Sequence, residues 1–240
     1  MEHPILFISL ILDKLGLPVP HTPTGATMLE KLCEPYMTYT WLVMAFLIIV
    51  PKLTMSRMEL VPGSGQNFWE VTIGGLMDFF AENLGEKRAK MLFPMMATFF
   101  LYIIIANIIG LIPGFMSPTS NLNITLGMTI MVWITHHVLG FRYHGLNYYK
   151  HFTGPMPIMA PFMFLLEVIA NFARLVSLSM RLFGNILAKE ILLSVLFMLA
   201  GAYFAPLPIL CLGVLVSVIQ AVVFVLLAVL YCASSMEEAH

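Results

Sequence analysis

Between Ile158 and Leu199 the chain reads IMAPFMFLLEVIANFARLVSLSMRLFGNILAKEILLSVLFML, far more apolar than a soluble helix. It nevertheless carries Glu167, Asn171, Arg174, Arg181, Asn185, Lys189 and Glu190. At about 100° per residue, all of these except Glu190 share one stripe about 80° wide, and Leu, Ile, Phe, Val and Met fill the other faces. An ionisable side chain at bilayer depth costs roughly 2.5–3.5 kcal/mol on insertion scales, so a row of them marks a functional site. If helical throughout, the stretch is roughly 63 Å long at ~1.5 Å per residue. That is about twice a ~30 Å hydrocarbon core. Such a helix must tilt steeply, or lie partly along the membrane under the cover of other helices.

Composition extends the membrane reading to the whole chain. Hydrophobic residues make up 60% and charged residues 10%, with a mean hydropathy of +0.90; soluble domains carry about 25% charge. A chain of 240 residues with this make-up has room for about five or six spanning helices in one domain. The net charge of −1, with no basic tail or acidic block, argues against nucleic acid as a partner. Cys33, Cys211 and Cys232 are scattered, without metal-ligand spacing, and read as packing residues.

Residues 1–35 combine an apolar patch (ILFISLIL) with a Pro-rich stretch (LPVPHTPTG). No Lys or Arg precedes the patch, so the expectation is a surface-lying extracytoplasmic segment rather than a secretory signal. Residues 36–240 read as a single membrane domain with spans at about 36–55, 91–112, 123–141, 158–199 and 209–233. Tyr36, Tyr39 and Trp41 suit an interfacial belt. Around residues 67–84, Phe68, Ile73, Leu76, Phe79 and Phe80 oppose Glu70, Asp78 and Glu82, which predicts an interfacial amphipathic helix. The fold class is thus an all-α integral membrane protein with five spanning helices and one interfacial helix.

Loop charges give an orientation. Lys52, Arg57, Lys87, Arg88, Lys90, Arg142 and Lys150 lie in two loops, against Lys14 and Lys31 in the N-terminal segment. Seven against two places the basic loops in the cytoplasm, the N-terminus outside and the C-terminus inside. The Glu167 end of the long helix then faces the cytoplasm and the Lys189–Glu190 end faces out.

Arg181 has a charge problem. Its neighbours three and four residues away are Ser177, Leu178, Gly184 and Asn185, and no carboxylate lies among them. Arginine keeps its proton at any depth. Its counter-charge must come from another polypeptide, or the guanidinium must sit in water. Either way the chain reads as a subunit rather than a self-contained transporter.

SLSMRLFGNILAKE, followed some way on by VIQAVVFVLLAVLYCASSMEEAH, closely resembles subunit a of the rotary F-type ATP synthases, as does NIIGLIPG with PTSNLNITL after it. The resemblance covers the chain from about residue 36 to its end. It implies two long, tilted last helices packed against a ring of c subunits, with Arg181 as the essential stator arginine and Asn185 and Gln220 as its polar neighbours. Glu190 falls at a position of the outer half-channel, and Glu167, Arg174 and Ser177 at positions of the cytoplasmic half-channel. It further implies peripheral-stalk b subunits and membrane lipid as partners, no directly bound nucleotide, no cofactor or metal, no catalytic site of the chain's own, and the inner membrane of a bacterium. Lys189 and Gly213 depart from the common pattern, which leaves Lys189 and Glu190 as the titratable groups of the outer inlet. Gly110 likewise replaces an acid of some relatives.

Other readings compete at several positions. Ser177 and Ser179 suit helix back-bonding, Gly184 and Gly213 close helix packing, and Arg174 snorkelling toward headgroups. For His136, His137, His144 and His151 a metal or proton-relay role competes with that of interfacial histidines, which is the better reading. A secondary transporter holding an anionic substrate on its intramembrane arginines is the rival function. It would need broken helices in an internal repeat, which the two halves lack. A voltage sensor would repeat Arg every third residue; here the interval is seven.

Overall fold

The computed structural model describes residues 34–55, 63–112, 115–145, 160–200 and 207–236. Residues 1–33, Arg57, the loop with Lys150 and His151, and the last four residues lie outside the described residues. The helices are α1 (Pro35–Thr54), α2 (Ser64–Leu84), α3 (Glu86–Ile109), α4 (Leu122–His144), α5 (Ala160–Ala200) and α6 (Leu207–Ser234), with a 3₁₀ turn at Pro118–Ser120. All but α2 are long and apolar enough to cross a membrane, and no strand occurs among the described residues. This is the all-α, five-span architecture that the apolar runs predict.

Local chemistry sets the helix ends. Pro35 starts α1, where its missing N–H costs nothing. Asn121 caps α4, its side chain accepting from the Asn123 N–H at 2.9 Å. Gly85, at φ +80°, is the only residue between α2 and α3, a conformation that side chains with a Cβ resist. α3 begins at Glu86 rather than near residue 91. Lys and Arg are good helix formers, and Glu86 pairs with Lys90 one turn on, at 2.6 Å.

The amphipathic α2 buries Trp69, Leu76, Phe80 and Leu84. Phe68, expected on that face, is 62% exposed. It sits about 100° from Trp69 on the helix and so points away from the packed seam.

The centre of the molecule is the seam between α3 and α6. Met96, Ile103 and Ala106 meet Phe224, Val225, Ala228 and Val229 in one buried cluster, which also takes in Phe80 of α2. Between lipid-bathed helices, dispersion contacts and close approach hold such a seam, which suits the small residues of α6. Gly213, Ser217, Ala221 and Ala228 are all buried. By contrast α5 leaves most of its surface open, with Phe162, Leu165, Ile169, Phe172 and Met198 exposed. At 41 residues α5 is about 62 Å long, too long to cross upright.

Candidate functional site

The polar stripe of α5 runs along the border between its packed and open faces. Leu178, Leu182, Ile186 and Leu193 define the packed side. Asn171 and Lys189, on the stripe's near edge, are buried at 7% and 8% exposure. Glu167, Arg174 and Glu190 are half-buried, while Arg181, Asn185 and Ser177 face the open side. The six residues sharing one sector therefore do not share one environment. About 80° of rotation separates Arg181, outside, from Lys189, inside.

In the middle of the stripe, Asn185 Nδ2 donates to Gln220 Oε1 at 2.9 Å, joining α5 to α6. Arg181 lies one turn away and makes no ion pair among the described residues. A Cβ on Gly184 would meet nothing within 4 Å, so this glycine opens the surface beside Arg181 instead of serving a helix contact within the chain. Ser179 is buried and lies 3.2 Å from the Thr125 hydroxyl, tying α5 to α4.

Toward the end of α3, a polar cluster surrounds the inner edge of the stripe. Lys189 turns inward across Gly213: a Cβ there would stand 3.3 Å from Lys189 Cδ and 2.5 Å from Leu111 Cδ2. Its Nζ donates to the Asn107 carbonyl at 3.3 Å and to Ser217 Oγ at 3.4 Å. Glu190 points elsewhere, accepting the Ser117 N–H at 2.9 Å. Ser117 in turn donates through Oγ to the Ala106 carbonyl at 3.0 Å, and Thr119 Oγ1 donates to Asn107 Oδ1 at 2.6 Å. Gly110 seats this turn, since a Cβ would come within 2.5 Å of Ser117 Cβ and 3.2 Å of its backbone.

At the opposite end, Asn171 Nδ2 donates to the Glu167 carbonyl at 3.0 Å and to Glu167 Oε1 at 3.2 Å. The Arg174 guanidinium lies 5.8 Å from the centre of the Tyr231 ring. Asn171 and Arg174 line a small cavity together with His136, Thr129, Trp133 and Tyr231. His136 is buried, with Nδ1 at 2.7 Å from the Tyr231 carbonyl oxygen. It faces the interior of the bundle, where α4 packs against α5 and α6. No three His, Cys, Asp or Glu side chains among the described residues come together as metal ligands would.

Sequence reading missed Asn107, Ser117 and Thr119 as members of these clusters. Asn107 could have been suspected as a polar residue inside an apolar helix. Ser117 acts through its backbone N–H, which no side chain announces.

Five helices long and apolar enough to cross a membrane, with ionisable side chains along one of them, define a polytopic membrane protein. A family model described as ATP synthase A chain matches residues 37–233. The chain is similar to ATP synthase subunit a of Desulfotalea psychrophila, 67% identical over the full length of both chains. It also resembles ATP synthase subunit a of Syntrophobacter fumaroxidans and of Geotalea daltonii, 42% and 44% identical, again over the full length of both. The chain belongs to the ATP synthase subunit a family, and it is a bacterial membrane protein.

Proposed function

We propose that this chain is the stator subunit of a rotary ATP synthase membrane sector, coupling proton translocation to rotation of a c-subunit ring. The observation that carries the reading is the position of Arg181. It stands on the open face of α5, without an ion pair among the described residues, between two polar clusters at opposite ends of the bundle. Arg181 supplies the stator charge, and Asn185 and Gln220 flank it. Lys189 and Glu190 belong to the outer half-channel; Glu167, Arg174 and Ser177 belong to the cytoplasmic one. The N-terminus lies outside and the C-terminus in the cytoplasm, b subunits hold the chain as part of the peripheral stalk, and nucleotide chemistry takes place on other subunits.

The chemistry follows from charge and solvation. A ring carboxylate facing hydrocarbon is tolerated only in its protonated form. Brought beside Arg181 it is stabilised as the anion, and its proton leaves through one half-channel. The next carboxylate takes a proton from the other half-channel before it re-enters lipid. The fixed guanidinium also repels protons between the two half-channels and suppresses direct leakage. Each charge crossing contributes about 2.3 kcal/mol per 100 mV to rotation.

The R181A variant tests this reading in inverted membrane vesicles carrying the complete synthase. ATP-driven proton uptake should vanish while the c ring still co-purifies with the chain. Uptake near the parental rate would remove the stator assignment.

A further inference from the structure

We infer that Tyr36 of α1 is a positioning residue of the outer half-channel: through the Ser120 hydroxyl it orients the Glu190 carboxylate, which makes the first helix one wall of the inlet. The inference rests on the rotary reading above and extends the site from α5 and α6 to a helix that carries none of the residues placed so far.

The turn between α3 and α4 is where the two helices meet. Ser117, Thr119 and Ser120 are all buried there. The first turns of α1 pack on this segment: the rings of Tyr39 and Phe115 stand 5.7 Å apart between centres, and Tyr36 lies half-buried about one turn nearer the helix start. The Tyr36 phenol is hydrogen-bonded to the Ser120 side chain, and the Ser120 side chain to the Glu190 carboxylate. Ser120 thus joins α1 to α5. A tyrosine serving only as an interfacial anchor keeps its hydroxyl at the wet end of the ring. This one directs it to the residue that holds Glu190.

Counting hydrogens at Ser120 gives Tyr36 its role. A serine hydroxyl has one hydrogen and two lone pairs. Two acceptors lie within its reach, the Ser117 carbonyl at 2.8 Å and the Glu190 carboxylate, which leaves the phenol as the donor to Oγ. When Glu190 is ionised, the Ser120 hydrogen turns to the carboxylate in a charge-assisted bond. When Glu190 is protonated, its O–H donates to the second lone pair of Oγ, and the Ser120 hydrogen returns to the Ser117 carbonyl. The phenol donates to the same oxygen in both states. It therefore holds Oγ in place while the proton on Glu190 comes and goes, and its polarisation of Oγ strengthens the bond to the anion. The Ser117 N–H, at 2.9 Å, is the other donor to the carboxylate. The titratable and charged groups facing Glu190 are Lys189 on α5 and Tyr36 on α1, with Glu34 beside Tyr36; the turn contributes neutral donors.

The test is Y36F in the complete synthase, reconstituted into liposomes and driven to make ATP by an imposed proton-motive force. The pH facing the outer half-channel is varied while a potassium diffusion potential keeps the total force constant. Phenylalanine keeps the ring and its packing and removes only the hydroxyl. That weakens a hydrogen bond favouring the anion, so the alkaline limb of the synthesis curve should move upward by about half a pH unit, the effect of one neutral hydrogen bond. S120A should move the limb the same way at least as far. Y36F combined with S120A should move it no further than S120A alone, because the phenol acts through that hydroxyl. Y102F removes another phenol hydroxyl that meets α1, bonded to Thr40 at 3.4 Å, and its curve should superimpose on the parent. A Y36F curve that superimposes on the parent overturns the inference. So does a lower maximum with the limb unmoved, which lost packing would give, or a shift that adds in full to that of S120A. Loss of the c ring from the Y36F complex would make the hydroxyl structural, with the same result. The R181A variant separates the two levels. If R181A abolishes uptake and Y36F leaves the curve in place, only this inference falls; if R181A pumps normally, the rotary reading falls as well.

Discussion

Asn185 and Gln220 form an asymmetric pair. Asn185 Nδ2 donates to Gln220 Oε1 at 2.9 Å, yet Asn185 is exposed while Gln220 is 4% exposed, and Gln220 Nε2 has no further partner among the described residues. Leaving a buried polar group unpaired costs about 1–3 kcal/mol, whereas removing that group with its bond is close to neutral.

The two leucine substitutions should therefore differ. N185L strands the Gln220 amide and should destabilise the chain by about 1–3 kcal/mol. Q220L removes an already half-satisfied amide and leaves Asn185 to its open surroundings, so its cost should be smaller. The temperature at which the chain dissociates from the detergent-solubilised synthase checks the order. Equal losses, or a larger loss for Q220L, would contradict the asymmetry. Both variants should pump more slowly than the parent, since each removes a polar neighbour of Arg181.

At Arg181 itself, charge alone should not suffice. Lysine has the same sign but is a compact, strongly hydrated point charge on a flexible stem, whereas guanidinium is planar, weakly hydrated and always charged. We expect R181K to assemble with its c ring and to pump little better than R181A. A half-restored pumping rate in R181K would show that position and sign are enough and that the guanidinium shape is dispensable.

Two buried glycines, Gly110 and Gly213, offer a graded test of packing. A Cβ on Gly213 meets Leu111 Cδ2, the free end of a side chain that can rotate away. One on Gly110 meets Ser117 at its Cβ, Cα and backbone N, so the turn that holds Glu190 must move as a unit. Overpacking of this kind costs about 1–3 kcal/mol. G110A should sit at or above the top of that range and G213A near the bottom. Retention of the chain in the purified complex after a brief heat step measures both. G213A more labile than G110A would mean that Leu111 is the fixed neighbour and the Ser117 turn the yielding one.

Much of this architecture was legible because a membrane leaves few options. Apolar runs of sufficient length must be helices, and the helices α1, α4, α5 and α6 begin and end within a few residues of the runs that predict them. Periodicity also put the polar residues of α5 into one sector. What periodicity could not supply was the direction in which that sector looks, because this depends on where α4 and α6 dock. The border between packed and open faces cuts through the stripe, burying Asn171 and Lys189 and leaving Arg181 and Asn185 open. Lys189 reaches inward because Gly213 has no side chain to stop it, a pairing across two helices that residue spacing in one helix cannot show. His136 shows the same limit: its contact with the Tyr231 carbonyl depends on how α4 and α6 dock, which residue spacing in one helix cannot show.

Glu190 holds the Ser117 turn and, under the proposed function, also takes part in proton transfer, and substitutions can part the two. Its Oε1 accepts the backbone N–H of Ser117, which is fully buried within the turn over Gly110. E190Q keeps an acceptor oxygen at that position and removes the titratable carboxyl. The turn should hold, with thermal retention close to the parent, while ATP-driven proton uptake falls. E190L removes the acceptor as well and leaves the Ser117 N–H buried without a partner, at about 1–3 kcal/mol. It should therefore lose both uptake and stability. Moving the turn by another route, through G110A, should reproduce the stability loss of E190L while the carboxyl remains. The three variants compared by heat retention and by uptake in inverted vesicles give the decisive pattern. Equal stability of E190Q and E190L would mean that the Ser117 bond does not hold the turn. Parental uptake in E190Q would take Glu190 out of the proton route and leave Lys189, held by the Asn107 carbonyl and Ser217, as the titratable group of the stripe at that end.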